Sequence, residues 1–407
     1  MEHPLRFCMI TTFYPPYHFG GDAVYVSNLS NELARRGHHV DVIHCIDSYQ
    51  LLTDLAPAAP GIDHPNITVH GLKSPFGFLS PLSTHLTGRP FFKSGKIRNI
   101  LRKGHDVIHF HNISLIGGPK ILEYGKGIKL YTMHEYWLLC PTHSLFKLDR
   151  EPCHEPECLR CCLKCRRPPQ LWRYSDFLER SIRDVNAFIA PSPFIRELHI
   201  RKGFKAKIEH LPNFMPDLDD KDRVSLQGSH EPASERPYFL FAGRLEKIKG
   251  VQNLIAVFRR YNSARLLIAG TGGFESGLRK LAEGINNIEF LGFLSRDRLQ
   301  QLYRDAVAVI IPSLWFEVFS IVILEAFRQE VPVIARRTGG MAEVVEESGG
   351  GVLYDTDKEL VAAMDRFLED PGYGRDLGSM GYKAFQKNWS ADVHINNYLA
   401  LIKKIGK

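Results

Sequence analysis

The sequence predicts an α/β protein of two tandem doubly wound domains. Three observations predict it. The chain has 407 residues, more than one hydrophobic core of ordinary size supports, because chains beyond about 250–300 residues divide into domains. Short apolar runs of strand length alternate with stretches of helical periodicity, the pattern of parallel sheets covered by helices. One polar, turn-rich stretch, MPDLDDKDRVSLQGSHEPASER at 215–236, breaks the alternation, which then restarts. The expected division is a first domain over 1–214, a linker over 215–236, a second domain over 237–388, and a final helix within 389–407 that can pack back on the first domain.

Each element follows in order. LRFCMITTF (5–13) is a continuous apolar strand that ends in the loop YPPYHFGGD (14–22). Asp22 can cap the helix that follows, Ala23, Val26, Leu29 and Leu33 give that helix an apolar side, and Gly37 stops it. HVDVIHCID (39–47) is the next strand, and this β–loop–α–β order implies a parallel sheet. Residues 47–100 read as loops and short helices with one strand, ITVHGL (67–72). Strands resume at DVIHF (106–110) and IKLYTMH (128–134), and a Cys-rich insert follows. A helix near 171–183, the strand VNAFIAPS (185–192), a helix over 193–202 and the strand KIEHLPN (207–213) complete the first half. In the second half the strands are YFLFAG, RLLIAG, IEFLGF, VAVIIPS, VPVIAR and GGVLY, each flanked by helical stretches.

Hydrophobic residues make up 44% and charged residues 24%, so either half can bury a full core. The net charge of +7 fits phosphorylated substrates, an anionic membrane surface or nucleic acid; a solvated surface with a slight excess of Lys is the plainer reading. The opening segment meets Pro15 and Pro16 before a secretion signal could form. No apolar stretch reaches the roughly 18 residues of a membrane span. The chain is therefore expected in the cytoplasm, with peripheral contact at the inner membrane face as a further expectation.

In open α/β sheets, ligands bind beyond the carboxyl ends of the strands. Three strand-to-helix loops there carry unusual residues. In PSLWFEVFSIVILEAF (312–327), Glu317 lies in the loop and Glu325 on a helix expected to start near Ser320. The first turn of that helix offers free N–H groups and a positive dipole end to an anion. Glu325 falls among Ile, Val and Leu, and a buried carboxylate is costly unless hydrogen-bonded. Paired hydroxyls of a ribose or hexose suit it; an ordinary exposed helix position is the alternative. In FAGRLEKIKG (241–250), Arg244 and Lys249 can bracket a diphosphate, Arg as a planar fork and Lys as a point charge; two surface cations are the alternative. Gly20 and Gly21 let the backbone approach a ligand closely, or simply form a loop. They do not form the glycine fingerprint of dinucleotide enzymes, which argues against a nicotinamide cofactor.

Taken together, GG at 20–21, DVIHFH at 106–111, TMHE at 132–135, APSPF at 190–194, HLPN at 210–213, AGRLEKIKG, IAGTGG at 268–273, PSLWFEVFSIVILEAF, RRTGGMAEVV at 336–345 and GGVLY resemble the family-4 retaining glycosyltransferases of the GT-B architecture over nearly the whole chain. The resemblance implies two Rossmann-like domains facing each other across a cleft. It implies transfer of a sugar from a UDP- or GDP-sugar to a hydroxyl acceptor with retention, in glycoconjugate synthesis, without an active-site metal. It assigns Arg244 and Lys249 to the diphosphate, Glu325 to the ribose, Glu317 to the donor sugar, Gly21 to the diphosphate by its N–H, and His134 to the reacting sugar carbon. Gly20, Gly272, Phe319 and Ser320 complete the implied donor site. Acceptors would be sugars, lipid-linked groups or small molecules. Three positions depart from the family pattern: Val318 and Phe214 stand where Gly is common, and Glu135 where Asp is common. Val318 crowds the donor backbone, so no sugar is assigned. His111 matches a family histidine, with a strand-end cap as the alternative, and His109 reads as structural. DLDD (217–220) reads as solvated charge.

Of eight cysteines, Cys8 and Cys45 lie in strand runs as core thiols, and six fall between 140 and 165. Cys140, Cys153, Cys158 and Cys161 suit a structural zinc, with Cys162 and Cys165 as alternative ligands and His143 and His154 as substitutes. An iron–sulfur cluster or free, redox-active thiols are the other readings. The insert begins just after His134, so it can shape the acceptor pocket, and Arg166 and Arg167 at its exit can meet a phosphate or lipid head group. Competing functions are another GT-B enzyme, such as an epimerase or a phosphorylase, and a zinc-containing nucleic-acid-binding protein. The last needs a basic stripe with interleaved aromatics, and only RRPPQLWRY (166–174) hints at one, so nucleic acid is not an expected partner.

Overall fold

A computed structural model describes residues 3–53, 56–57, 61–148, 150–218 and 236–406. Most of the expected linker, residues 219–235, lies outside the described residues, as do Asp219 and Asp220 of DLDD. The chain divides into two units, Met1–Asn213 with His394–Lys407, and Phe214–Val393.

The first unit is built on β1 (Arg6–Ile10), β2 (His39–Cys45), β3 (Ile67–Leu72), β4 (Val107–Phe110) and β5 (Ile128–Thr132). A short antiparallel pair, β6 (Phe146–Lys147) and β7 (Glu151–Pro152), stands apart from this sheet, and β8 (Ala187–Ala190) and β9 (Ile208–His210) complete it. The order is β3-β2-β1-β4-β5-β8-β9, with every neighbour parallel. The strand order reverses between β1 and β4. Phe7 to Ile10 are fully buried, as expected of a strand covered on both faces.

The first helix starts at Gly21 rather than after Asp22. Gly20 holds φ 124°, ψ −141°, a conformation a side chain resists, and so turns the chain into the helix Gly21–Arg35. Asp22 sits in the first turn and accepts the Ala23 N–H at 2.9 Å. Among the described residues, the region between Cys45 and Val107 carries three short helices, Ile46–Leu52, Leu79–Thr87 and Ser94–Leu101. The single helix expected near 171–183 is broken. Ser175 is extended, its hydroxyl donates to the Trp172 carbonyl at 2.7 Å and accepts the Phe177 N–H at 3.3 Å. That local bonding competes with helix continuation, leaving a turn at Leu171–Tyr174 and a helix at Phe177–Ile182.

The second unit contains β10 (Tyr238–Ala242), β11 (Arg265–Ala269), β12 (Ile288–Gly292), β13 (Val309–Ile311), β14 (Val333–Arg336) and β15 (Gly351–Tyr354), in the order β12-β11-β10-β13-β14-β15. This is the doubly wound order with its reversal between β10 and β13. In β10, Tyr238, Leu240 and Ala242 enter one core and Phe239 and Phe241 the other, so period-two alternation serves two apolar faces. Each fully buried side chain of this size contributes about 1.5–3 kcal/mol.

Glycines fix the loops at this reversal. Gly250 has φ 77°, and a Cβ there would lie 2.0 Å from the Pro312 carbonyl oxygen. The Leu314 N–H donates to the Ile248 carbonyl at 2.8 Å, so the loop after β10 lies directly on the loop after β13. Gly272 is equally constrained, since a Cβ would meet the Leu245 backbone at 2.5 Å. Gly250→Ala should therefore destabilise the protein by more than about 2 kcal/mol. Gly273→Ala, where a Cβ meets nothing within 4 Å, should cost far less; urea unfolding of both variants checks this contrast.

Candidate functional site

The loops after β10 and β13 converge on Glu317. Its side chain is 6% exposed as a residue, and Oε1 accepts hydrogen bonds from Lys249 Nζ and Ser313 Oγ, both at 2.6 Å. Burial alone would raise the Glu317 carboxyl. The Lys249 charge, with hydrogen bonds from Lys249, Ser313 and Trp315, outweighs burial and holds it below the ordinary value. The Lys249 ammonium also lies 5.5 Å from the centre of the Trp315 ring. The Glu317 carbonyl accepts the Gly340 N–H at 2.7 Å, and a Cβ at Gly339 would collide with the Glu317 backbone at 2.5 Å. TGGM (338–341) is thus the brace behind this carboxylate.

Ser320 is the N-cap of the helix Ile321–Arg328, but its side chain does not cap the first turn. Glu325 lies on that helix, where Tyr303 donates to Oε2 at 2.6 Å. Burial raises the Glu325 carboxyl, opposed by the Tyr303 hydrogen bond and the charges of Arg328 and Arg296. Val318 and Phe319 are buried, the Phe319 ring in the core beneath the helix. What Phe319 offers a ligand is therefore its backbone. Arg244 is exposed and pairs with Glu246 at 3.0 Å, so Arg244 and Lys249 face different carboxylates.

In the first unit, Gly20 and Gly21 have open space, with nothing within 4 Å of a Cβ at either. His134, just beyond β5, meets His111, just beyond β4, through Nε2 and Nδ1 at 3.0 Å. The Tyr25 ring stands edge-on to His134 at 4.9 Å. Tyr25 Oη bonds His394 Nε2 at 3.1 Å, and His394 Nδ1 bonds the Pro212 carbonyl at 2.8 Å. His109 bridges Tyr398 and Thr132 at 2.9 and 2.8 Å. Burial lowers all four histidines, His134 and His394 to about 3. His111 Nε2 is buried without a hydrogen-bond partner among the described residues. A proton there would be an orphaned donor, which favours N–H on His111 Nδ1, donating to His134 Nε2. Neutral His134 then carries its own proton on Nδ1.

Two family models match the chain, one described as Glycosyltransferase Family 4 over residues 19–217 and one as Glycosyl transferases group 1 over residues 222–384. Between them they cover nearly all of it. The chain belongs to the family-4 glycosyltransferases of the GT-B architecture. This glycosyltransferase is 26% identical to an uncharacterised glycosyltransferase of Methanocaldococcus jannaschii, over 99% of this chain and 100% of the relative. It is 25% identical to a D-inositol 3-phosphate glycosyltransferase of Pseudarthrobacter chlorophenolicus, over 95% and 91%. Its fold is similar to that of sucrose-phosphate synthase from Thermosynechococcus elongatus, with a TM-score of 0.73 at 21% identity over 98% of this chain and 99% of that one. HepE of Anabaena, solved in complex with UDP, is similar with a TM-score of 0.67 at 18% identity over 98% and 100%.

Of the residues expected for the donor, the glycosyltransferase brings Lys249 and Glu317 into contact and places Ser320 at the N-cap of the adjoining helix and Glu325 on it. Gly272 packs on the Arg244 loop by backbone. Tyr303, Ser313 and Gly339 were not singled out in the sequence. Tyr303 comes from a helix, Arg296–Arg304, with no local signal of its role. The Gly-Gly of RRTGGM was signal enough for a close backbone approach.

The Cys-rich insert is tied to the strand end by Glu135, whose Oε2 bonds His143 Nδ1 at 2.9 Å. His143, Leu145, Leu148 and Arg166 all hold positive φ, so the segment is tightly turned. Cys161 Sγ accepts the Leu148 N–H at 3.4 Å, and Cys140 Sγ contacts Thr142 Oγ1 at 3.2 Å. The Arg173 guanidinium is stacked over Trp172 and Trp137, 4.7 and 5.2 Å from their ring centres, within electrostatic reach of Cys140, Cys158 and Cys162. The donor chemistry suits zinc. Among the described residues, however, no three Cys, His, Asp or Glu side chains are gathered to hold a metal ion.

The four histidines make acid stability predictable. Their folded values lie below the ordinary 6.5, so between about pH 6.5 and 3 the unfolded chain binds more protons than the folded one. Stability should be flat above this window and fall as pH drops through it. Thermal melts from pH 7.5 to 4 should show that decline, and His394→Asn should make it shallower; a flat profile down to pH 5 would contradict the assignment.

Proposed function

We propose that this glycosyltransferase moves a sugar from a nucleotide-diphosphate donor to a hydroxyl acceptor with retention of anomeric configuration. The observation that carries the proposal is the ionised Glu317, held by Lys249 and Ser313 beside the N-terminus of the helix bearing Glu325. Sugar transfer develops negative charge on the departing diphosphate and positive charge on the ring. Arg244, Lys249 and the first-turn amides after Ser320 would stabilise the former, and Glu317 would hold donor hydroxyls. Glu325, steadied by Tyr303, would accept from the ribose. His134, neutral at physiological pH, would supply a hydrogen bond at the sugar rather than a charge. The HepE structures with UDP and with UDP-glucose support a nucleotide-sugar donor. Retention rests on the family resemblance.

UDP- and GDP-sugars should raise the melting temperature, because a ligand that binds only the folded state stabilises it. Glu325→Gln should weaken nucleotide binding about 10–100-fold, the worth of a charged hydrogen bond, whereas Glu317→Gln should mainly lower kcat with the sugar. The product anomer, read by proton NMR, tests retention. No protection by any donor would refute the site, and equal losses in both variants would refute the division of roles.

We also propose that Cys140, Cys153, Cys158 and Cys161, with Cys162 and Cys165 as alternatives, take up one structural zinc. Support comes from the donor set and from the half-buried Arg173 cation, which would complement an anionic thiolate group. Elemental analysis of protein purified without chelator should find about one zinc per chain, as a closed four-ligand site requires, and less in Cys158→Ala; zinc-free or iron-loaded protein sinks the proposal.

A further inference from the structure

The segment between β3 and β4 has an unusual surface. From Asp63 to Asp106 the sequence contains no acidic residue between those two ends, while Lys and Arg recur through it. Lys73, Arg89, Lys96, Arg98, Arg102 and Lys103 are all exposed. The same segment exposes large apolar side chains. Phe76 is 54% exposed, Phe78 58%, Phe91 59% and Phe92 41%, with Leu79 and Leu86 beside them in the helix Leu79–Thr87.

These aromatics are gathered rather than scattered. Phe76 and Phe78 occupy the turn before that helix, and Phe91 and Phe92 the turn after it. The rings of Phe76 and Phe92 meet at 4.7 Å between centres, which joins the two turns into one apolar knob. Lys96 Nζ donates to the Lys73 carbonyl at 2.9 Å, holding a cation at the foot of the knob. Beneath it the geometry is firm. The buried Lys93 ammonium pairs with Asp47 at 3.1 Å, and the Asp47 carboxylate also accepts the Ser74 N–H at 2.9 Å. The aromatics therefore stand on a fixed base and do not fold inward.

Contiguous exposed apolar surface marks an interaction site. Aromatic and aliphatic tips surrounded by Lys and Arg, with no carboxylate in the segment, match an anionic lipid surface: the tips enter the acyl boundary and the cations meet the head groups. A second copy of this chain, itself carrying +7, lacks that charge complementarity. We infer that Phe76, Phe78, Phe91 and Phe92, with Lys73, Lys96, Arg102 and Lys103, dock the glycosyltransferase on anionic membranes. None of these residues belongs to the proposed donor site, so donor protection and lipid docking can fail independently.

Vesicle sedimentation of the full chain tests the inference. Vesicles of phosphatidylcholine with about 30% phosphatidylglycerol should bind it, and pure phosphatidylcholine vesicles far less; binding should weaken as salt is raised, as screening requires. The Phe76→Ser/Phe92→Ser double variant and the Lys96→Glu/Arg102→Glu/Lys103→Glu triple variant should each lose on the order of tenfold or more in partitioning, with melting temperature and donor-induced protection kept. Equal binding to both vesicle types, or unchanged binding by folded variants, overturns it. So does a wild-type dimer in light scattering that the phenylalanine variant converts to monomer, which would assign the knob to a second copy.

Discussion

The second unit depends on the contact between Lys249 and Glu317. A carboxylate this buried is tolerated only when its charge is paired and its lone pairs are occupied. Lys249 arrives from the loop after β10, and Ser313 and Glu317 from the loop after β13. One oxygen atom therefore stitches together the two loops that flank the reversal of strand order. The glycines follow from it. Gly250 lets the first loop lie on Pro312, and Gly339 lets the next helix abut the Glu317 backbone. A side chain at either point would push the loops apart and leave a buried charge without its partner.

Much of this was legible in the sequence. Strands buried on both faces read as continuous apolar runs, and YFLFA and RFCMI announce themselves in that way. Glu317 and Lys249 were legible as candidates because they follow such runs. Their contact was not, since they lie far apart in sequence and only strand order brings β10 beside β13. The sequence suggests ligand hydroxyls, or an exposed helix position, for Glu325; the structure adds a protein partner, Tyr303, from a helix whose own pattern shows only amphipathicity. The start of the first helix was misplaced for a local reason. Asp is the commoner cap, and the positive φ that gives Gly20 the position is a property of backbone geometry that composition only hints at.

The histidines show a different limit. HFH and TMH place imidazoles at the ends of β4 and β5, as the sequence suggests. What neutralises them is burial, and part of that burial comes from His394 and Tyr398, near the end of the chain. A residue almost 300 positions away, Tyr398 on His109, helps set the environment around His134. Helical periodicity in the last residues gave the helix but not its target. The neutral state of His134 is thus a tertiary property, fixed by packing across the whole first unit.

The two carboxylates of the second unit end up with opposite electrostatic characters on one stretch of nine residues. Glu317 is kept ionised by a cation, whereas Glu325 is pushed toward its neutral form by burial and steadied by a phenol. Environments that separate two like groups in this way assign them different chemistry. The same pairing changes the role of Lys249. A lysine already committed to Glu317 brings less net positive charge to a phosphate than a free one would. Arg244 is likewise paired, with Glu246 at 3.0 Å, so in the proposed donor site a diphosphate would draw on two already committed cations and on the first turn after Ser320. Lys249 keeps the Glu317 carboxylate charged and oriented, and in the proposed reaction that carboxylate would accept hydrogen bonds from donor hydroxyls, which a neutral carboxyl group would do less well.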